Sequence, residues 1–193
     1  MELNFNFKEI ISVSLILFSV IDILGSIPVV IDLRKKTGDI HAEQATLVSG
    51  GLMIAFLYVG KSILNLFGVD INSFAIAGAL IIFLIGLEMT LGRNIFKSED
   101  AAASKAASIV PLAFPVIAGA GTMTTILSLK SQFEEVNILV GILLNLVFIY
   151  IVLKASQWIE DRLGQVGANV LRKVFGVILL AISIKILKTR LAL

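Results

Sequence analysis

The sequence predicts an all-α integral membrane protein with six transmembrane helices in an inverted 3+3 repeat, helices 1 and 4 being broken. Three observations predict it. The 193 residues are 58% hydrophobic and only 16% charged, with a mean hydropathy of +0.99, whereas a soluble domain is nearer half apolar and about a quarter charged. Six segments are apolar over the roughly 20 residues needed to cross about 30 Å of hydrocarbon. All 3 prolines fall in the first and fourth of these segments, which must cross the membrane in opposite directions.

The six spans are read as Ile10–Ile31, Thr46–Phe67, Ile71–Leu91, Ile109–Leu129, Val136–Ser156 and Val170–Thr189. The last contains Arg172, Lys173 and Lys185, and is kept because long basic side chains can reach back to the interface. Glu2, Lys8 and Glu9 precede the first apolar run, and no small-residue cleavage site follows it, so it reads as a retained span. No linker divides the chain. Residues 1–193 form a single membrane domain, with 1–91 and 109–193 as its two three-helix repeats.

The connections differ by side. Arg34, Lys35 and Lys36 lie in the first, Arg93, Lys97 and Lys105 in the third, and Arg162 in the fifth, with Lys154, Arg172 and Lys173 at its edges. Of the 16 Lys and Arg, ten fall on this side and six on the other, which predicts a cell (inner) membrane protein with both termini outside the cytoplasm. Tyr150 and Trp158 belong to the interfacial aromatic belt on that reading. In the alanine-rich stretch Ser98–Ser108, Ser98 with Glu99 and Asp100 has the pattern of a helix N-terminus.

Composition also excludes. There is no cysteine, hence no disulfide, thiolate metal site or cysteine nucleophile. The single histidine, His41, sits in a polar loop, where it makes neither a metal site nor a triad. A net charge of +2, distributed by side, gives no reason to expect a nucleic-acid partner. No nucleotide-binding motif is present, and no cofactor or metal is expected.

The two breaks carry the chemistry. Asp22 is the one carboxylate deep in a span, and it opens the stretch Asp22-Ile-Leu-Gly25-Ser26-Ile27-Pro28. A carboxylate at mid-membrane costs at least about 2.5 kcal/mol, so it normally faces a polar interior. Pro28 suits the first position of a resumed half-helix, which Ser26 can cap. The second break, Pro111–Thr125, reads PLAFPVIAGAGTMTT. Here Pro111 and Pro115 each remove a helical hydrogen bond, and Gly119 and Gly121 weaken the helix further. Gly121-Thr122 is expected to open a half-helix, with Thr122, Thr124 and Thr125 beside its free N–H groups. Read alone, this second stretch is either a kinked packing helix or a cradle.

Paired at mid-membrane, the breaks make a binding site. The backbone of Gly25, Ser26 and Ile27 and of Gly119, Ala120, Gly121 and Thr122 would present N–H donors and positive dipole ends to a carboxylate. Asp22 and unwound carbonyls would accept an ammonium group or a proton. Asn145, central in the fifth span, either lines this site or bonds a neighbouring helix. Gly50, Gly51, Gly78, Gly86 and Gly141 are expected to allow close helix packing.

At D-I-L-G-S-I-P (Asp22–Pro28), I-A-G-A-L-I-I-F-L-I-G-L-E-M (Ile76–Met89) and P-L-A-F-P-V-I-A-G-A-G-T-M-T-T (Pro111–Thr125), the chain resembles the MarC family of bacterial and archaeal inner-membrane proteins. That family is also called NAAT, after its neutral amino acid transporters. Its first motif typically reads D-P-x-G-N-x-P and its second P-x-x-x-P-x-x-x-G-P-G-x-x-T-T. Asp22, Gly25, Pro28, Pro111, Pro115, Gly119, Gly121, Thr124 and Thr125 agree, while Ile23, Ser26 and Ala120 replace proline, asparagine and proline. The resemblance implies six spans, an inverted repeat and, for some relatives, transport of small neutral amino acids such as glycine and alanine.

The expectation is a secondary transporter of small zwitterions in the lipid bilayer, with coupling to a proton or sodium ion left open. The alternative is a passive channel or a non-transporting membrane partner. An intramembrane enzyme is not expected, because one deep carboxylate with no cysteine and no buried histidine does not assemble a nucleophile and base.

Overall fold

Asn6 starts the first helix by accepting the backbone N–H groups of Lys8 (3.1 Å) and Glu9 (3.4 Å), as an N-cap does. The computed structural model describes residues 5–23, 25–37, 40–92, 108–130 and 132–191. In chain order these form α1 (Phe7–Ile21), α2 (Ile27–Thr37), α3 (Ala42–Leu66), α4 (Ile71–Leu91), α5 (Ser108–Ile117), α6 (Ala120–Leu129) and α7 (Glu135–Leu191). No strand occurs among the described residues. Apart from Ser108, the alanine-rich stretch and its expected helix start lie outside the described residues.

Each element follows from local sequence. In α1, Val13, Leu17 and Ile21 are buried at every fourth position, so one stripe faces the core. Gly141 of α7 meets that stripe closely: a Cβ there would lie 2.6 Å from a Val13 methyl. Asp70 caps α4 through the N–H groups of Asn72 (2.8 Å) and Ser73 (2.9 Å). Gly92 ends it at φ +68°, where a residue without Cβ is unstrained. In α5, Val110 and Phe114 are extended, at φ −124° and −134°. Each precedes a proline, whose ring disfavours the helical conformation of the residue before it. The N–H of Ala118 consequently reaches back to the Ala113 carbonyl (2.8 Å), a turn wider than that of an α-helix.

The 57 residues of α7 would extend about 85 Å as a straight helix. They double back instead. Asn137 near its start bonds Glu9 (2.7 Å), and Ser156 accepts from Arg34 (3.1 Å). Arg172 then pairs with Asp32 (2.8 Å), and Arg190 bonds Asn72 (3.2 Å) and shares a cavity with Ile16. The outgoing limb, Glu135–Ile159, therefore runs from the α1 end toward the far end of α2, and residues 170–191 return. The return limb crosses α4 at Gly86 and Gly176, where a Cβ on Gly86 would stand 2.9 Å from the Gly176 carbonyl oxygen.

Among the described residues, three helices are long and apolar enough to cross a membrane: α3, α4 and Glu135–Ile159. The pair Val110–Ile117 and Ala120–Leu129, bent by 41°, makes a fourth if taken as one span. At 15 and 11 residues, α1 and α2 are each too short alone. The return limb carries Arg172, Lys173, Lys185, Lys188 and Arg190 within 170–191, and so lacks a comparably long apolar run. At the end of the bundle where α2 meets α3, Lys154 pairs with Glu43 (2.7 Å) and Tyr150 donates to the same carboxylate (3.2 Å). The exposed Trp158 ring lies under Arg162, 4.9 Å from its centroid.

Two outcomes are expected. Gly86→Ala forces backbone apart at the α4 crossing and lowers detergent-solubilised stability by about 1–3 kcal/mol. Gly51→Ala, whose added methyl meets nothing within 4 Å, is neutral or stabilising by up to about 1 kcal/mol. Thermal unfolding followed by circular dichroism separates them. The Ser73 hydroxyl, with the Ser73 and Asn72 N–H groups, lowers the pKa of Asp70 in the folded state. Its stabilisation is thus complete above its ordinary value and lost as pH falls through the lowered one. Asp70→Asn, measured across that acid range, should flatten this part of the pH–stability curve.

Candidate functional site

Asp22 ends α1 in the left-handed conformation, φ +46° and ψ +50°, which aspartate tolerates better than most side chains. Its carboxylate accepts the Gly25 N–H (3.3 Å), and its carbonyl accepts both the N–H and the hydroxyl of Ser26 (3.1 Å each). The first break is thus a turn gathered on Asp22. The Ser26 hydroxyl, expected to cap α2, donates back to this carbonyl instead. Pro28 is the second residue of α2, where the missing N–H has no helical acceptor to serve. A Cβ on Gly25 would collide with the Asp22 carboxylate, so this glycine leaves room for the acid.

The second break is tighter. Helix α6 begins at Ala120, one residue before the expected Gly121, with Gly119 as N-cap at φ −81°, ψ 176° and no side-chain cap. The position a Gly119 Cβ would take is occupied by the Pro115 carbonyl oxygen. Ala120 is buried and turns its methyl onto Gly78 of α4. Among the described residues no side chain caps the first N–H groups of α6, which lie at the positive end of the helix dipole.

Between the breaks lies a cavity of about 410 Å³. It brings together Asp22, Pro115, Gly119, Gly121, Thr122, Thr124 and Thr125 of the residues singled out from sequence. Gly25, Ser26, Ile27, Pro28, Pro111 and Ala120 do not line it; they shape the turns behind it. Asn145 is not a lining residue either. Its amide donates to the carbonyls of Ser14 (3.1 Å) and Gly141 (2.9 Å), so it ties α1 to the outgoing limb of α7, a bond worth about 1 kcal/mol between membrane helices. A smaller space of about 270 Å³ shares Thr124, Thr125 and Arg190 and continues to Gln132. In the opposite direction, Ile23, Val29 and Val30 are buried and fill the interior.

Sequence reasoning missed one whole wall. The return limb contributes Ile182, Lys185, Ile186, Thr189 and Arg190, a single helical face by its spacing of three and four. Lys185 was readable as a basic residue in an apolar stretch, but it was assigned to the membrane end of its helix. Only the fold-back of α7 brings it to Asp22's cavity. No ion pair joins Lys185 to a carboxylate among the described residues, and no group of His, Cys, Asp and Glu there is arranged to hold a metal.

Gly119→Ala, pushed against the Pro115 carbonyl, should cost about 1–3 kcal/mol of stability. Gly121→Ala should not, because its nearest neighbour is a Val20 methyl at 3.8 Å. Thermal unfolding in detergent reads the difference, and similar losses for the two would contradict this account of the break.

A family profile described as "MarC family integral membrane protein" matches residues 7–192. Among curated relatives, a membrane protein of Methanocaldococcus jannaschii is 30% identical over 184 residues, covering 89% of this chain and 90% of the relative. One of Pyrococcus abyssi is 28% identical over 177 residues, with coverages of 89% and 88%. The membrane protein YhcE of Escherichia coli is 27% identical over 188 residues, with coverages of 90% and 87%. No solved structure matches the chain. With the profile matching nearly its whole length, the chain belongs to the MarC family of integral membrane proteins.

Proposed function

We propose that the protein is a secondary transporter of small neutral amino acids of the glycine or alanine kind, set in the cell (inner) membrane. One observation carries the reading: a carboxylate at one helix break and the uncapped N-terminus of a half-helix at the other open onto the same cavity. That arrangement offers an acceptor to an ammonium group and donors to a carboxylate. A volume of about 410 Å³ lies at the small end of ligand cavities. Discontinuous helices meeting near mid-membrane are the usual substrate site of secondary transporters. The reading requires no bond-making chemistry and no cofactor.

The reading includes six spans, with α1–α2 and α5–α6 as broken helices, and an inverted repeat. Exchanging α1 with α5, α2 with α6, α3 with the outgoing limb and α4 with the return limb relates three pairs of contacts, although α1 packs on α6 without a matching α5–α2 contact of that extent. Val13 of α1 meets Gly141 of the outgoing limb, as Phe114 of α5 lies beside Leu52 and Phe56 of α3. Arg34 of α2 reaches Ser156, as Lys130 after α6 reaches the Leu57 carbonyl of α3 (3.0 Å). Asp32 of α2 pairs with Arg172, as Ala120 of α6 packs on Gly78. With the basic connections in the cytoplasm, both termini lie outside it.

Proteoliposomes loaded with unlabelled glycine or alanine should accumulate the labelled amino acid by counterflow, which a channel does not support. Asp22→Asn keeps a side chain that tolerates the left-handed turn but removes the charge. It should reduce counterflow at least tenfold while leaving the melting temperature within a few degrees. Absence of counterflow for every amino acid that stabilises the purified protein would end the transporter reading.

A further inference from the structure

Five hydroxyls line the cavity, and each has already given its proton away. Ser19 donates to the Leu15 carbonyl (3.0 Å), Thr122 to Ile117 (3.0 Å), Thr124 and Thr125 to Gly121 (3.1 and 2.8 Å), and Thr189 to Lys185 (2.9 Å). A hydroxyl has one proton and two lone pairs, so these groups present lone pairs only. Together with the Asp22 carboxylate they make the polar part of largely apolar walls rich in acceptors. The side-chain donors remaining in the cavity are Lys185 and Arg190. Arg190 spends one of its N–H groups on Asn72 (3.2 Å), whereas Lys185, five residues earlier on the same limb, has no carboxylate partner among the described residues.

From this inventory we infer that Lys185 is the substrate's carboxylate anchor and a determinant of specificity. This rests on the transporter reading and sharpens it. The ammonium group of a bound amino acid faces Asp22 and the hydroxyl lone pairs, and its carboxylate faces Lys185. Two opposite charges a short molecule apart are thereby required of the ligand. An amine without an acid leaves Lys185 unneutralised, and an acid without an amine leaves Asp22 so. The free N–H groups of α6 contribute dipole, while the ammonium of Lys185 contributes a full charge, and hydrogen bonds involving ionised partners are about twice as strong.

The test compares three probes on the full-length protein in proteoliposomes: glycine, glycinamide (ammonium only) and acetate (carboxylate only), each competing with labelled glycine. The wild type should prefer glycine over both at least tenfold. Lys185→Gln should weaken glycine at least tenfold and bind glycinamide as well as the wild type or better, so that the preference for glycine disappears. Lys185→Arg should restore most of the preference. If Lys185→Gln binds glycine as the wild type does, or weakens glycine and glycinamide equally, the lysine is not the anchor and the transporter reading stands without it. If the wild type binds no amino acid, that reading falls and this inference with it. A melting temperature for Lys185→Gln close to the wild type's shows that any loss is one of recognition.

Discussion

Backbone polar groups removed from water have to find partners within the protein, and the rest of this structure depends on how two interrupted helices meet that requirement. At the first break the partners come from one residue. Asp22 offers its carboxylate to Gly25 and its carbonyl to Ser26, so the chain stops being helical without abandoning its N–H groups. At the second, prolines delete donors that could not have been satisfied, and Ala118 recovers a bond by reaching five residues back. What is left over is an uncapped helix start and a carboxylate, opening onto one cavity.

Glycine performs the complementary task. Gly119 and Gly25 are required where a Cβ would strike the Pro115 carbonyl and the Asp22 carboxylate, and Gly86 where two backbones cross. Gly51 meets nothing, so the expectation that it serves close packing does not extend to it. Packing glycines and turn glycines look alike in a sequence; the surroundings that separate them come from other helices.

What could be read in the sequence was whatever is local. The membrane class, the apolar segments, and the breaks at Asp22–Pro28 and Pro111–Thr125 follow from residue type and spacing, and the structure has a helix end at each. Thr122, Thr124 and Thr125 were legible as lining because they follow a break directly. Ser26's partner was not, since a hydroxyl at a helix start can serve the helix ahead or the turn behind, and the left-handed Asp22 decides for the turn. Asn145 had two readings, which only the position of Ser14 on another helix could separate. Lys185 needed more still: its place in the cavity is set by the reversal of α7 some residues earlier, where the sequence carries no proline.

The ion pair between Asp32 and Arg172 has a mechanical meaning. Asp32 is 5% exposed, and separating a buried pair strands a charge at a cost of about 3–5 kcal/mol. Arg34 grips Ser156 two residues further along α2. Short as it is, α2 is therefore latched to both limbs of α7. Because α1 is tied to the outgoing limb as well, through Asn137 and Asn145, both halves of this broken helix are pinned to the same partner, and the turn at Asp22 is clamped from either side.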